Sequence, residues 1–336
     1  MKVKFSKLGM LALPLLLAGS PLVSQAEEQN SSFDVFYYSL SDQFISAFQN
    51  EMETLAKDQN LALESFDANN DAGAQELQIA EKLPDNKPKI INLVKPDLTE
   101  KIIENCKKSG SRVIFFNRQP DLKHMDDYSK VWYVEGDSMQ AGQLQAEVVI
   151  DYIERHPDID RNKDGRIATI ILTGPQEHQA TYLRTASLAV ELCLKYNYID
   201  INAKLDGQFD SLKARGELEN YILNNGIDHV ELIICNNDAM ALGAISALNK
   251  EGYNTGSKKK KYIPVFGVDG IEPAIKAIEE NKLEATIVND AKEQAQAILM
   301  LAQSKETDNR KLSKKLNMKV WANGTVYIPY TKIIRK

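Results

Sequence analysis

The sequence is poor in the residues that most often carry chemistry by themselves: three cysteines, four histidines and two tryptophans in 336 residues. Cys106, Cys193 and Cys235 form no Cys-x-x-Cys pair and have no histidine at metal-ligand spacing, which excludes a zinc ribbon or a thioredoxin-like redox centre. Each falls inside an apolar periodic segment, so the expectation is three buried thiols. There is no nucleophile elbow, no glycine-rich phosphate loop and no zinc motif, which leaves little support for catalysis. Positive charge is also in deficit. With 41 Lys and Arg against 47 Asp and Glu, the net charge of −6 argues against a nucleic-acid partner, whose counterions must be replaced by cations. Nor is there a linker rich in Gly, Ser or Pro, so any two domains should be joined by short crossing segments.

Long apolar runs are missing except at the start. Lys2, Lys4 and Lys7 precede an apolar run over residues 8–18, which leads to Ser24-Gln25-Ala26, a small-x-small cleavage pattern. This predicts a secretory signal over residues 1–26. The run is shorter than the ~20 residues a spanning helix needs, and it contains Pro14. No cysteine follows it to accept a lipid anchor. The remaining chain exceeds the usual length of one domain and predicts two lobes, more acidic than the whole because the three leading lysines are gone.

From residue 33 onward, β-rich runs alternate with helical-period segments. Residues 33–39, 61–67, 89–94 and 112–117 read as strands, and residues 42–57, 72–82 and 98–108 as helices. Runs such as Val113-Ile114-Phe115-Phe116, apolar on both faces, belong to buried parallel strands, and the alternation predicts βαβ units. After a strand over 131–137 the rhythm restarts, with strands at 168–172, 231–235, 264–268 and 285–288 and a helix over 290–303. The expected fold class is α/β, two doubly wound lobes: residues 27–136 with about 289–322, and residues 137–288 with about 323–336.

In open parallel sheets ligands bind beyond the carboxyl ends of the strands. The residues that end these runs are short, planar and polar: Asp42, Asn117, His178, Asn237, Asp269 and Asn289. Such side chains also favour helix N-caps, and for any one of them the cap is the simpler explanation. Their recurrence at six strand ends points to a polar small-molecule cleft, suited to hydroxyls that both donate and accept. Phe44 and Phe209 are candidates to cover an apolar ring face. A second motif, Asp160-Arg161-Asn162-Lys163-Asp164-Gly165, matches the opening of a calcium loop, with oxygen at alternate positions and Gly at the sharp turn. The pattern breaks at Ala168 and Ile171, where further oxygen ligands belong, and a plain turn is the alternative.

Seven segments in one order carry a family resemblance. They are Asp42-Gln43-Phe44, Ile91-Asn92-Leu93-Val94, Val113 through Asn117, Asp160 through Gly165, Asn236-Asn237-Asp238-Ala239-Met240, Ile263 through Asp269, and Val288-Asn289-Asp290-Ala291. Together the chain resembles the bacterial periplasmic galactose/glucose-binding proteins, of the type I periplasmic binding protein family. The resemblance implies two Rossmann-like lobes joined by three crossings that close on one sugar in the periplasm. It assigns the sugar hydroxyls to Asp42, Asn117, His178, Arg184, Asn237, Asp269 and Asn289, and the ring faces to Phe44 and Phe209. It also supplies a metal ligand, Glu231, to join Asp160, Asn162, Asp164 and the carbonyl of Arg166 around a structural calcium. The implied partners are an ABC-type permease and a chemotaxis receptor, for a monomeric protein. Two departures concern the sugar: Ala180 stands where the family has a carboxylate, and Phe209 where it has tryptophan. Glucose, galactose or a methyl-galactoside is the first expectation. The alternatives are a sugar-responsive sensor or repressor-like module, which would need a DNA-binding headpiece before Phe33, and a glycoside-processing enzyme using Asp42, Asp269 and His178 as acid and base groups.

Overall fold

The computed structural model describes residues 32–197, 199–256 and 261–335. The expected signal segment lies outside the described residues. The chain opens with β1 (Ser32–Tyr37), α1 (Gln43–Asp58), β2 (Ala62–Asp67), α2 (Ala72–Lys82), β3 (Lys89–Ile91), α3 (Thr99–Ser109), β4 (Val113–Phe116) and β5 (Val131–Gly136). It continues with α4 (Ser138–Arg155), β6 (Ile167–Thr173), α5 (Gln179–Lys195), β7 (Ile199–Asp206), α6 (Ser211–Asn225), β8 (Leu232–Cys235), α7 (Asp238–Lys250), β9 (Val265–Asp269), α8 (Glu272–Glu279) and β10 (Ala285–Val288). Last come α9 (Ala291–Gln303), α10 (Asn309–Leu316), β11 (Thr325–Ile328) and β12 (Thr331–Ile334).

These strands form two six-stranded sheets. The first has the order β11-β5-β4-β3-β1-β2 and is parallel throughout. The second has the order β12-β10-β9-β8-β6-β7, parallel except where β12 runs against β10. The expected α/β class with two doubly wound lobes is what the structure shows. Apolar residues on both faces of a strand require cover on both faces. Accordingly β1, β3 and β4 are sandwiched between a core that includes residues of α1, α9 and α10 and one that includes residues of α2 and α3. The second sheet lies between a core built with α6, α7 and α8 and one built with α4 and α5.

The chain passes between sheets three times: after β5 into α4, after β10 into α9, and between β11 and β12. The last passage corrects the expected boundary near residue 322. β11 belongs to the first sheet, paired with β5 from Thr325 beside Tyr133 to Ile328 beside Gly136. Val326 and Ile328 are buried in that sheet's core, so the first lobe keeps the chain through Ile328. β11 and β12 lie close together in the chain, and only pairing decides which sheet each joins. β7 was not expected. It is an edge strand with alternating burial, a weaker signal than a doubly buried run.

One thiol also departs from expectation. Cys106 and Cys235 are buried, but Cys193 is exposed on α5, whose buried stripe is Ala180, Thr181, Arg184, Leu188 and Leu192. Cys193 follows Leu192 by one residue, a turn of about 100° that carries it off the stripe. All three are free thiols. Burial pushes the Cys106 thiol up to about 12, which leaves little thiolate to react. The expected outcome of alkylation followed by mass spectrometry is a single modified residue, Cys193, in the folded protein, and all three after unfolding in guanidinium.

Candidate ligand-binding cleft

The carboxyl ends of both sheets face one cavity of about 540 Å³. Its wall is built from loops that leave β1, β3 and β4 on one side and β6 and β7 on the other. Tyr38, Ser39, Ser41, Asp42, Arg118 and Gln119 line the first side, and His178, Gln179, Gln208 and Phe209 the second.

Asp42 acts in two directions. Its Oδ1 accepts from the backbone N–H of Phe44 at 2.8 Å and of Ile45 at 3.1 Å, capping α1. Its Oδ2 accepts from the Tyr38 hydroxyl at 2.6 Å. Cap formation, worth about 1 kcal/mol, therefore fixes the carboxylate while it lines the cavity. His178 repeats the arrangement: Nδ1 accepts from Ala180 N at 3.2 Å at the start of α5, and the ring meets Phe209 edge to face at 5.3 Å between centroids. Burial, reinforced by Arg118 and Arg184, holds this imidazole well below its ordinary value and therefore neutral. Asn237 caps α7 through Met240 N at 3.0 Å and donates from Nδ2 to the Phe209 carbonyl at 3.3 Å.

Behind the wall lies a buried charged group. The Arg184 guanidinium donates to the Asn236 carbonyl at 2.6 Å and to the Tyr330 hydroxyl at 2.9 Å, and stands 3.5 Å from Asp269. Burial raises the Asp269 carboxyl well above the ordinary range; Arg184 opposes this, while the nearby charges of Asp238 and Asp42 add to it. Asp42 belongs to the first lobe and Asp269 to the second, and the cavity beside them is lined from both lobes. Asn289 joins it through its N–H, which donates to the Asp269 carbonyl at 3.0 Å, and through Oδ1, which accepts from Gln294 at 2.7 Å. Asn117 joins through its carbonyl, which accepts from Gln179 Nε2 at 2.9 Å.

Of the nine expected ligand residues, Asp42, His178 and Phe209 line the cavity. Asn117, Arg184, Asn237, Asp269 and Asn289 stand at the adjoining strand ends or helix start. Phe44 does not line the cavity. It is buried in the first core, among the residues packed on α1, and the aromatic ring that reaches the wall nearby is Tyr38. Three of the nine expected residues occupy left-handed or otherwise positive φ: Asn117 at 59°, Phe209 at 58° and Asp269 at 124°. Such backbone costs on the order of 1–3 kcal/mol per residue and is held by surrounding structure. At Asp269 the support is Asp238, fully buried, which accepts from Gly270 N at 2.7 Å, Ile271 N at 3.0 Å and the Thr286 hydroxyl at 2.7 Å. Phe209 sits against Gly174, where a Cβ would come within 2.3 Å of the ring.

Sequence reasoning missed Tyr38 and Arg118. The Arg118 guanidinium lies 3.9 Å over the Tyr38 ring and donates to the Val94 carbonyl at 2.6 Å, with its Nε buried and without a partner among the described residues. Adjacency was the available signal, since Arg118 directly follows Asn117 and Tyr38 ends the same run that leads to Asp42.

The acidic loop lies apart from the cavity, between α4 and β6. Asp160 accepts from Asp164 N at 3.2 Å and Gly165 N at 2.9 Å, while Asp164 accepts from Arg166 N at 2.9 Å. Glu231, buried just before β8, accepts from Arg161 N at 2.6 Å, Asn162 N at 3.1 Å and Ala168 N at 3.0 Å. The donors present are hard oxygens, and among the described residues no Lys or Arg side-chain nitrogen pairs with Asp160, Asp164 or Glu231. The Arg166 guanidinium pairs with Asp200 instead. That uncompensated charge suits a hard cation. Against it, Ala168 contributes no oxygen, and among the described residues no three acidic, His or Cys side chains converge tightly enough to hold a metal.

Residues 33–308 match a family model described as the periplasmic binding protein domain. The chain is 29% identical over 301 residues to the D-galactose/methyl-galactoside binding periplasmic protein of Haemophilus influenzae, with 89% of this chain and 88% of the relative covered. It is 23% identical over 253 residues to the ribose import binding protein of Bacillus subtilis, covering 74% of this chain and 72% of the relative. Among solved structures, an ABC transporter solute binding protein from Bacillus halodurans with bound myo-inositol superposes with a TM-score of 0.70 at 25% identity, covering 91% of this chain and 95% of that one.

Arg184 is the residue on which the buried part of this region turns. Arg184→Met is expected to lower the unfolding free energy by about 3 kcal/mol in a urea titration at pH 7, because Asp269 loses its counter-charge and Asn236 and Tyr330 lose a donor.

Proposed function

Because the chain belongs to the periplasmic binding protein domain family, we propose that it is the sugar-capturing component of an ABC-type importer, binding one neutral monosaccharide between its lobes. The observation that carries this reading is the wall itself. Planar carboxylate, carboxamide and imidazole groups come from strand ends of both lobes, with the aromatic rings of Tyr38 and Phe209 among them. A sugar ring presents hydroxyls at its rim and apolar C–H faces, and this combination answers both. The reading is of binding without bond cleavage, as in the binding proteins to which the chain is similar.

Asp42, Asn117, His178, Arg184, Asn237, Asp269 and Asn289 are proposed to serve the hydroxyls, and Phe209 one ring face. Tyr38 and Arg118 are added to the first-lobe side. Galactose, glucose or methyl-galactoside remains the first choice, supported by similarity to the galactoside-binding relative. The apolar side chain of Ala180 removes one acceptor from the neighbourhood, which favours a ligand with one fewer hydroxyl or with a substituent there. A ligand that touches both lobes stabilises the joined arrangement by its differential affinity. The joined shape is then what a permease, and on this proposal a chemoreceptor, would meet, with the protein acting as a monomer.

A panel of galactose, glucose, methyl-galactoside, ribose, xylose and myo-inositol in a thermal-shift assay tests this. At a hundredfold excess over its dissociation constant the true ligand adds about 2.7 kcal/mol of stability. A panel in which no neutral sugar or polyol raises the melting temperature overturns the reading.

We also propose a structural calcium at the acidic loop, with oxygens from Asp160, Asn162, Asp164, the Arg166 carbonyl and Glu231. The ion would supply the positive charge that, among the described residues, no paired Lys or Arg side chain provides. Calcium chloride is expected to raise the melting temperature of the ligand-free protein, EGTA to reverse the rise, and Glu231→Gln to abolish it. Absence of any shift at millimolar calcium counts against the site.

A further inference from the structure

Beside the cavity, a set of hydrogen bonds crosses directly from one lobe to the other. Its donor is Gln179, the first residue of α5 in the second lobe. Its Nε2 lies 2.9 Å from the Asn117 carbonyl, 3.0 Å from the Tyr133 hydroxyl and 3.0 Å from Glu135 Oε2, all in the first lobe. The Tyr133 hydroxyl itself donates to the Asn117 carbonyl at 3.0 Å. Residues of β5, the end of β4 and the start of α5 therefore close a ring across the boundary. Glu135 is 4% exposed, and among the described residues no Lys or Arg nitrogen pairs with it directly. A carboxylate buried without a paired cation is costly and sits awkwardly in an interior strand.

We propose that Gln179 and Glu135 form an interlobe latch, which sets how much of the ligand-free protein has its lobes joined and, through that population, how tightly the sugar binds. The second half rests on the sugar-binding reading above; the first does not. Separating the lobes would take Gln179 away from all three acceptors at once and open Glu135 toward water. The latch also acts on the site, because the carbonyl it holds belongs to Asn117, a residue at positive φ that has to be kept in place. Gln179 is thus a positioning residue.

The latch has a pH sense. Burial pushes the Glu135 carboxyl up to about 7, opposed by the nearby Tyr133 hydroxyl, by the hydrogen bond from Gln179 and by Arg184, and reinforced by Asp137. Tyr327 on β11 and Tyr330 beyond it are the other titratable groups within its field. In the separated arrangement hydration returns the carboxyl toward its ordinary value of about 4.3. The joined state therefore binds the proton more tightly, and joining takes up a proton between those values. The joined fraction is largest at low pH, falls as pH rises from about 5 to about 7, and is level above that.

Small-angle X-ray scattering of the ligand-free protein at pH 5 and pH 8, together with calorimetric titration of a sugar, tests the proposal. Gln179→Ala is expected to enlarge the radius of gyration at pH 5, shifting the joined-to-separated ratio about five- to tenfold. It should weaken sugar binding by a similar factor. Glu135→Gln, which keeps the shape and an acceptor oxygen, should remove the pH dependence of the scattering. Circular dichroism melts confirm that both variants fold. If the Gln179→Ala scattering superposes on the parent's at both pH values, or the parent's scattering does not change with pH, the latch is wrong. If the scattering responds as expected while no sugar binds the parent, the latch stands and the sugar reading falls.

Discussion

A charge that is buried where two lobes meet has to find its counter-charge there, and Arg184 is where that requirement is met. It rises from the second turn of α5 and reaches the end of β8 through Asn236, the end of β9 through Asp269, and the passage between β11 and β12 through the Tyr330 hydroxyl. An unpaired guanidinium in this position would be prohibitive, and so would an unpaired Asp269. Each is tolerable because the other is present. The pair consequently ties together four separate stretches of chain that nothing in local sequence connects. The remaining polar groups are arranged around it.

Helix capping and lining of the cavity draw on the same short polar side chains, and in this fold one group does both. In a βαβ unit the residue that ends a strand also begins the next helix, so its side chain is drawn to the unsatisfied N–H groups of the first turn. Asp42, His178 and Asn237 all make that bond, and Asp42 and His178 still line the cavity. The cap removes rotational freedom from the group before any ligand arrives, which reduces the ordering cost of binding. The simpler explanation for each residue is therefore true and is also part of how the site is built. Positive φ at Asn117, Phe209 and Asp269 works to the same end, with Asp238, Gly174 and the interlobe contacts holding backbone that would otherwise relax.

Much of this was legible beforehand because the signals were local. Strands apolar on both faces, such as 113–116, announce a covered parallel sheet, and polar residues at their carboxyl ends announce the binding edge. Asp42 and His178, read this way, line the cavity, as does Phe209, read as a cover for an apolar ring face. Phe44 was misplaced because helical periodicity gives equal standing to an aromatic facing a cleft and one facing a core, and α1 turns it inward. Tyr38 and Arg118 were overlooked because neither is notable until the ring and the guanidinium are stacked. Cys193 looked buried because its neighbours are apolar, although several of those neighbours, Val190 and Leu194 among them, also face solvent.

By itself, then, the sequence determined the α/β class, the rhythm of strands and helices, the acidic balance and the positions at which polar groups could meet a ligand. All of these follow from side-chain periodicity and from the conformational preferences of short stretches of chain. Tertiary structure alone decided that β11 joins the first sheet and β12 the second, that Arg184 pairs with Asp269 far along the chain, and that Gln179 reaches across to Glu135. These are contacts between residues far apart in sequence, chosen by the packing of two sheets and by the cost of leaving buried polar groups without partners. No local pattern encodes which distant partner will be there to do so.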